Sequence, residues 1–345
     1  TYTPPRREAD RGARKQLLIA GGSDLAVLHG VYTFFAEEMG VSWLEPGVEY
    51  APKPPEGIHE LDIRYHPEFM IKEIALLSLY DTGTREFRCG HRLSPRALCP
   101  PGTSDFFDGF LSEPAGTQSG SNVVTWGSEQ GVKRLFDEIC SIASIPVSEQ
   151  NSLRKTCTWK VGSSTVWLVS AMTHLKPVLS AEGQALNKTE ESPVAAILFS
   201  LNRVAEMLEQ SFPNKTHLLH VLLSPAIQEP PRNLRPHRKV IVQLSTQGCD
   251  FSKPYSDPES PDNARFADVL TKWTRLGSPV YVLDFLTNQR DPLLPFPCLD
   301  TLQGNILFFA RKGVSGVYYS GTSASSPADV DLLPLRMFLA ARYLY

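Results

Sequence analysis

Apolar residues recur along this chain with two periods, one that suits strands and one that suits helices. Residues 16–20 (Gln-Leu-Leu-Ile-Ala) form a short apolar run that reads as a buried strand. The turn Gly21-Gly22-Ser23-Asp24 follows, and then Leu28, Val31, Tyr32, Phe35 and Met39 fall on one face of a helix. Ser23 or Asp24 can cap that helix, and Gly40 supplies the residue past its end. Trp43 and Leu44 resume an extended run before Pro46-Gly47 turns the chain. The pattern predicts a β-α-β unit. A Pro-rich joint from Ala51 to Gly57 then separates it from the remainder, which predicts a small α/β domain over 1–60 and a second domain over 61–345.

Beyond the joint, apolar runs at Thr165–Ser170, His217–Ser224, Lys239–Ser245, Pro279–Phe285, Asn305–Ala310 and Val314–Tyr319 read as strands. Between them lie amphipathic helices. The clearest opens at Ser192-Pro193 and aligns Val194, Ile197, Leu198, Leu201, Val204, Ala205 and Leu208; another aligns Phe266, Val269, Leu270, Trp273 and Leu276 and stops at Gly277. A helix is expected over Val132–Ala143, and a last one carries Leu335, Phe338, Leu339 and Leu344. Strands alternating with helices predict a mainly parallel α/β fold, a (β/α) TIM-type barrel. The stretch Ser78–Ser128, rich in Gly, Pro, Ser and Thr, fits this pattern least and reads only as long loops up to the helix near Val132.

Composition narrows the function classes. With 34 Lys and Arg against 37 Asp and Glu the net charge is −3, and no long basic run occurs, so a nucleic-acid partner is not expected. No window has the ~18 apolar residues of a membrane span. The first residues carry neither Met nor an apolar leader, which reads as a processed product or a piece of a longer chain. Six cysteines (Cys89, Cys99, Cys140, Cys157, Cys249, Cys298) lack any CxxC pair, so a zinc ribbon is not expected, whereas three disulfides are allowed. Cys89 with Cys99 is the expected local pair. Asn187 and Asn214 head Asn-Lys-Thr sequons in polar connections and are expected to carry glycans. Thiols and sequons together point to a secreted, extracellular protein.

Signals for cofactor chemistry are weak. Gly21-Gly22-Ser23-Asp24 lacks both the dinucleotide spacing and the P-loop Lys, and reads as a tight turn; no cofactor is expected. His217 and His220, three apart on a strand, must face opposite sides and cannot share a metal, so no metal is expected either. Neither HExxH nor GxSxG occurs. In a barrel, catalytic groups stand at the C-terminal ends of strands, and there the best-placed acid is Asp284 in Val-Leu-Asp-Phe. Without a partner, such an Asp is ordinarily a hydrogen-bond acceptor that fixes a loop.

Two stretches resemble known families. Ile19-Ala20-Gly21-Gly22, His29-Gly30-Val31-Tyr32, Phe35 and Gly40-Val41-Ser42-Trp43-Leu44-Glu45-Pro46-Gly47 resemble the small α/β domain that precedes the barrel of α-glucuronidases and β-hexosaminidases. His66-Pro67-Glu68-Phe69, Cys249-Asp250-Phe251, Trp273, Tyr281–Phe285, Pro295-Phe296-Pro297 and Gly313–Val317 are similar to the barrel of a mostly bacterial glycosidase-like family related to α-glucuronidases. The resemblance implies a barrel of glycosidase ancestry with a sugar-sized cleft at its strand ends; the first barrel strand it implies, near Phe69–Leu77, is followed by loop-like sequence where a helix is expected, so the barrel is expected to be incomplete. It implies no active site, because Ala171–Leu179 offers His174 and Lys176 where such barrels place acids. The first expectation is therefore a secreted, non-catalytic glycoprotein that binds carbohydrate or other extracellular proteins. The alternative is an active glycoside hydrolase on uronic-acid or hexosamine glycans, with Asp284 and Glu229 or Glu182 as acid and base or nucleophile, and Trp167, Tyr319 and Phe285 stacking on sugar rings.

Overall fold

A computed structural model describes residues 16–58, 61–75, 84–93, 125–143, 158–161, 164–170, 178–288, 291, 294–320 and 332–344. Ser23 caps helix α1 (Asp24–Glu37), its hydroxyl accepting from the Ala26 amide at 3.2 Å. Gly40 stands at φ +71 past the helix end, where a side chain would be strained. A two-stranded antiparallel ribbon follows, β1 (Ser42–Glu45) with β2 (Val48–Tyr50). The expected strand at 16–20 does not form: it joins no ladder, and Leu17 and Leu18 are exposed. An apolar run is a strand only when a neighbour takes its backbone groups, and none of the described residues does so.

The main sheet has the order β3-β9-β8-β7-β6-β5-β4. Its strands are β3 (Ile71–Ala75), β4 (Thr158–Val161), β5 (Ser164–Ser170), β6 (His217–Leu223), β7 (Val240–Ser245), β8 (Val280–Phe285) and β9 (Gly316–Ser320). All pair in parallel except the β4–β5 hairpin, leaving a curled parallel half-barrel of six strands. β3, the first of these in the chain, pairs with β9, the last, as the first and last strands of a closed barrel do. Between β3 and β4 no described strand closes the curl, which accords with an incomplete barrel.

The helices that accompany the sheet are α2 (Thr84–Gly90), α3 (Glu129–Ala143), α4 (Ala181–Thr189), α5 (Ala195–Ser211), α6 (Pro261–Thr274), α7 (Leu299–Arg311) and α8 (Leu333–Tyr343), with α5 packed on β6 and β7. On α5 every apolar residue of the expected face is buried. Residues 305–310 are helical rather than extended: Leu302, Ile306 and Phe309 bury one face of α7, a spacing that a short apolar run conceals. On α8 the buried residues are Leu333, Arg336, Met337, Ala340 and Ala341, while Leu335, expected inside, is exposed. Helices α2 and α8 also contact β1, so residues 16–58 lean on the sheet's β3 end.

Asn187, expected to carry a glycan, braces the start of α5. Its Oδ1 accepts from the Ala196 amide at 2.7 Å and its Nδ2 donates to the Pro193 carbonyl at 2.9 Å. Asn187→Ala is expected to cost about 1–2 kcal/mol by orphaning a first-turn amide, read as a lower urea midpoint at unchanged slope. Asn214 is exposed and accepts no such duty among the described contacts.

No disulfide joins two described residues, and Cys89, Cys249 and Cys298 carry free thiols, so the expected Cys89–Cys99 pair does not form. Cys89 is instead fully buried on α2, where it packs as a small apolar side chain. Cys140 is half-buried on α3; Cys99 and Cys157 lie outside the described residues. Among the described residues no helix is long and apolar enough to cross a membrane.

Candidate functional site

Because the strands run parallel, their C-terminal ends share one rim, and side chains alternate between its two faces. Val282 and Leu286 of the β8 segment pack in the large core beneath the helices, whereas Leu283 and Phe285 belong to a separate cluster on the concave face. Asp284 shares the helix side with Val282. Its register partner Tyr319 lies in the same large core. His217 and His220 divide as their spacing requires: His217 accepts from the Trp167 indole at 3.0 Å in the helix layer, while His220 meets the concave-face Tyr281 ring edge-on at 5.4 Å.

Asp284 is 3% exposed, and three donors converge on its Oδ1: the Thr246 hydroxyl at 2.7 Å, the Tyr255 hydroxyl at 2.6 Å and the Phe285 amide at 2.9 Å. The Tyr319 hydroxyl approaches the same carboxylate without reaching hydrogen-bond geometry. Burial raises the Asp284 pKa, and its donors oppose the rise; burial and the facing carboxylate push Tyr255 well above its ordinary value. Tyr255 stacks on Phe309 of α7 and its amide is held by Asn305 at 2.9 Å. Asp284 thus ties the segment after β7 to the sheet and to α7.

The other two acids stand elsewhere. Glu229, nearly half exposed, pairs with Lys272 at 2.5 Å on the outer surface of α6. Glu182 is exposed in the first turn of α4, where its own amide and then the Ser180 hydroxyl hold its carboxylate below the usual value. No described contact brings the three acids together. Of the expected stacking residues, Trp167 and Tyr319 are buried in the helix-side core. Phe285 does face the concavity, in an aromatic cluster where Phe251 meets Phe285 edge-on at 6.1 Å and tilts against Phe296 at 4.8 Å.

The concave face holds a carboxylate, Glu73, that is not at a strand's C-terminal end and that the sequence pattern did not mark. Glu73 of β3 stands opposite Tyr318 and is fully buried; Arg88 of α2 reaches both its oxygens, at 2.6 and 2.7 Å, and donates to the Ile74 carbonyl at 3.2 Å. Tyr318 and Tyr319 are consecutive and face opposite ways, so Glu73 and Asp284 do too. The only sequence signal was a Lys-Glu pair inside an otherwise apolar strand.

Outside the ends of β6 and β7 lies a cleft of about 220 Å³, lined by Glu229, Gln247, Cys249, Asp262 and Arg265 over a floor of Phe266 and Val269. Small-molecule sites commonly exceed ~300 Å³, so this one suits a group no larger than a single sugar ring. Burial pushes the Cys249 and Cys298 thiols up to about 12, which leaves both protonated and unreactive at neutral pH. No group of His, Cys, Asp and Glu among the described residues is placed to hold a metal ion.

Residues 152–345, more than half of the chain, match the family described as a domain of unknown function, DUF4838. The chain belongs to that family. The DUF4838 region runs from just before β4 to the chain's end and so takes in five strands of the half-barrel, the Asp284 hub and the cleft, while Glu73 and Arg88 precede it. No curated protein and no solved structure matches the chain.

Proposed function

We propose that this DUF4838 protein is a secreted, non-catalytic glycoprotein that uses a glycosidase-like half-barrel, of a kind related to α-glucuronidases, to bind carbohydrate or to build extracellular assemblies. One observation carries the reading. The two buried carboxylates on the rim strands, Glu73 and Asp284, lie on opposite faces of the sheet, and each is already taken, by Arg88 and by three local donors. Glycoside cleavage needs two carboxyls facing one cleft, ~5–9.5 Å apart. The cleft over Phe266, rimmed by Glu229, Gln247 and Arg265, combines an apolar floor with hydroxyl-binding groups and is the proposed sugar seat. Secretion rests on the two sequons, of which exposed Asn214 is the better acceptor, since a glycan on Asn187 would compete with its brace on α5.

A glycan panel tests binding and turnover together. Capture of glycans that weakens at least ~10-fold in Val269→Trp, which fills the cleft floor, with no release of reducing sugar, is the expected result. Absence of any glycan binding would reject the carbohydrate reading.

A further inference from the structure

Lys72 is the one fully buried ammonium described in this protein whose contacts include no acid. It is 7% exposed, and its Nζ donates to the Tyr65 hydroxyl at 3.0 Å. At 5.4 Å from the ring centre the ammonium lies past the rim of the phenol rather than over its face. A buried cation normally has a carboxylate or a set of strong acceptors, because a neutral hydroxyl returns little of the lost hydration. Arg92 lies against the same ring, 4.8 Å from its centre, and is 6% exposed. It stands at φ 54, a backbone conformation that disfavours any side chain except where surroundings enforce it. Its Nε donates to Thr33 at 2.7 Å and one Nη to Glu37 at 3.1 Å.

Four segments therefore converge: α1 with His29, Thr33 and Glu37, the stretch before β3 with Tyr65 and Glu68, β3 with Lys72, and the residues after α2 with Arg92. Glu37 is engaged by Arg92, and Glu68 is exposed and faces Tyr65. His29 donates from Nε2 to the Leu93 carbonyl at 3.1 Å and is held neutral, near 4, by burial and by both cations. Among the described residues around Lys72 the positive charge exceeds the negative, and Tyr65, 41% exposed, is the part of this cover that meets solvent.

We propose that Lys72 and Arg92 beneath Tyr65 form a binding site for a small oxyanion, a sulfate or phosphate group, free or borne as an ester on a sugar. The anion displaces the Tyr65 hydroxyl from Lys72 and takes up the ammonium's remaining donors. Burial and Arg92 bring Lys72 down to about 8, so binding must weaken as pH rises through that value. Of the neighbours, His29 titrates near 4 and Tyr65 above its usual value, which leaves Lys72 as the group that responds between pH 7 and 9.5.

Thermal melts of the purified chain in sulfate against chloride at matched ionic strength test the site. The expected result is a saturable, sulfate-specific rise in Tm at pH 7 that largely disappears at pH 9.5 and is absent in Lys72→Met. Tyr65→Phe, which removes the competing acceptor, should bind sulfate more tightly and serves if the Lys72 variant does not fold. A sugar sulfate that shifts Tm at lower concentration than inorganic sulfate identifies an ester as the ligand, whereas equal shifts identify the free ion. The same sulfate-specific rise in Lys72→Met, no such rise in the native chain, or unchanged affinity in Tyr65→Phe would each overturn the proposal.

Discussion

Lowering the pH from 7 to 5 is expected to remove about 4 kcal/mol of stability through two buried histidines alone. Burial holds His91 at about 4 and His220 at about 3, both below the ordinary value of 6.5. Both are almost fully inaccessible, at 4% and 5% exposure. His91 contacts the Trp43 carbonyl at 2.8 Å, and His220 packs on Tyr281, positions from which a new charge cannot reach water. Below pH 6.5 the unfolded chain takes up protons that the folded chain refuses, so stability falls with falling pH, by about 2 kcal/mol per histidine at pH 5. The loss from His91 levels off below 4 and that from His220 below 3. His29 adds in the same direction. Asp284 works in the opposite sense: its raised pKa means that the folded state binds the proton more readily, which returns some stability as pH falls. Urea midpoints at pH 7 and 5 measure the balance, and His220→Leu should shrink the difference by about 2 kcal/mol. Equal stabilities at the two pH values would contradict the burial of neutral imidazoles.

Arg88→Met is expected to destabilise the protein by about 3–5 kcal/mol, the usual consequence of leaving a buried charge without its partner. Glu73 and Arg88 are 0% and 1% exposed, and Arg88 also covers the Ile74 carbonyl at the free side of β3. The pair as a whole need not be stabilising, since both ions have lost their hydration. The double variant Glu73→Leu with Arg88→Met should therefore recover most of the loss, which a pair of additive contacts would not do. Denaturation of the two single variants and the double one gives the coupling directly. A change below about 1 kcal/mol in Arg88→Met would mean that Glu73 is not held as a buried anion.

How far the sequence reaches depends on whether a residue's role is local. The buried face of α5 was legible because Val194, Ile197, Leu201, Val204 and Leu208 repeat with the helical period. β7 and β8 were legible as strands but not as faces. Both sides of a parallel strand are covered, so Val240–Ser245 and Val280–Phe285 are buried throughout and no alternation marks which side is concave. That is why Trp167, Tyr319 and Phe285 could be grouped although only Phe285 faces the concavity. Residues 305–310 misread as a strand because a run of six apolar-rich residues suits either element, and only the caps and length of α7 decide. The Glu73–Arg88 pair depends on how α2 returns against β3, and the oxyanion seat on four separate segments, neither of which leaves a local pattern.

We propose that Glu73 and Asp284 of this DUF4838 chain stabilise its structure and do not cut glycosidic bonds. Steady-state hydrolysis of aryl glucuronides and hexosaminides by the native chain, with Asp284→Asn and Glu73→Gln beside it, separates the two roles. Removing a true catalytic acid or base lowers turnover by ~10²–10⁴-fold. The expected result is no turnover above the buffer rate in any of the three. Turnover by the native chain that disappears in either variant would contradict the account.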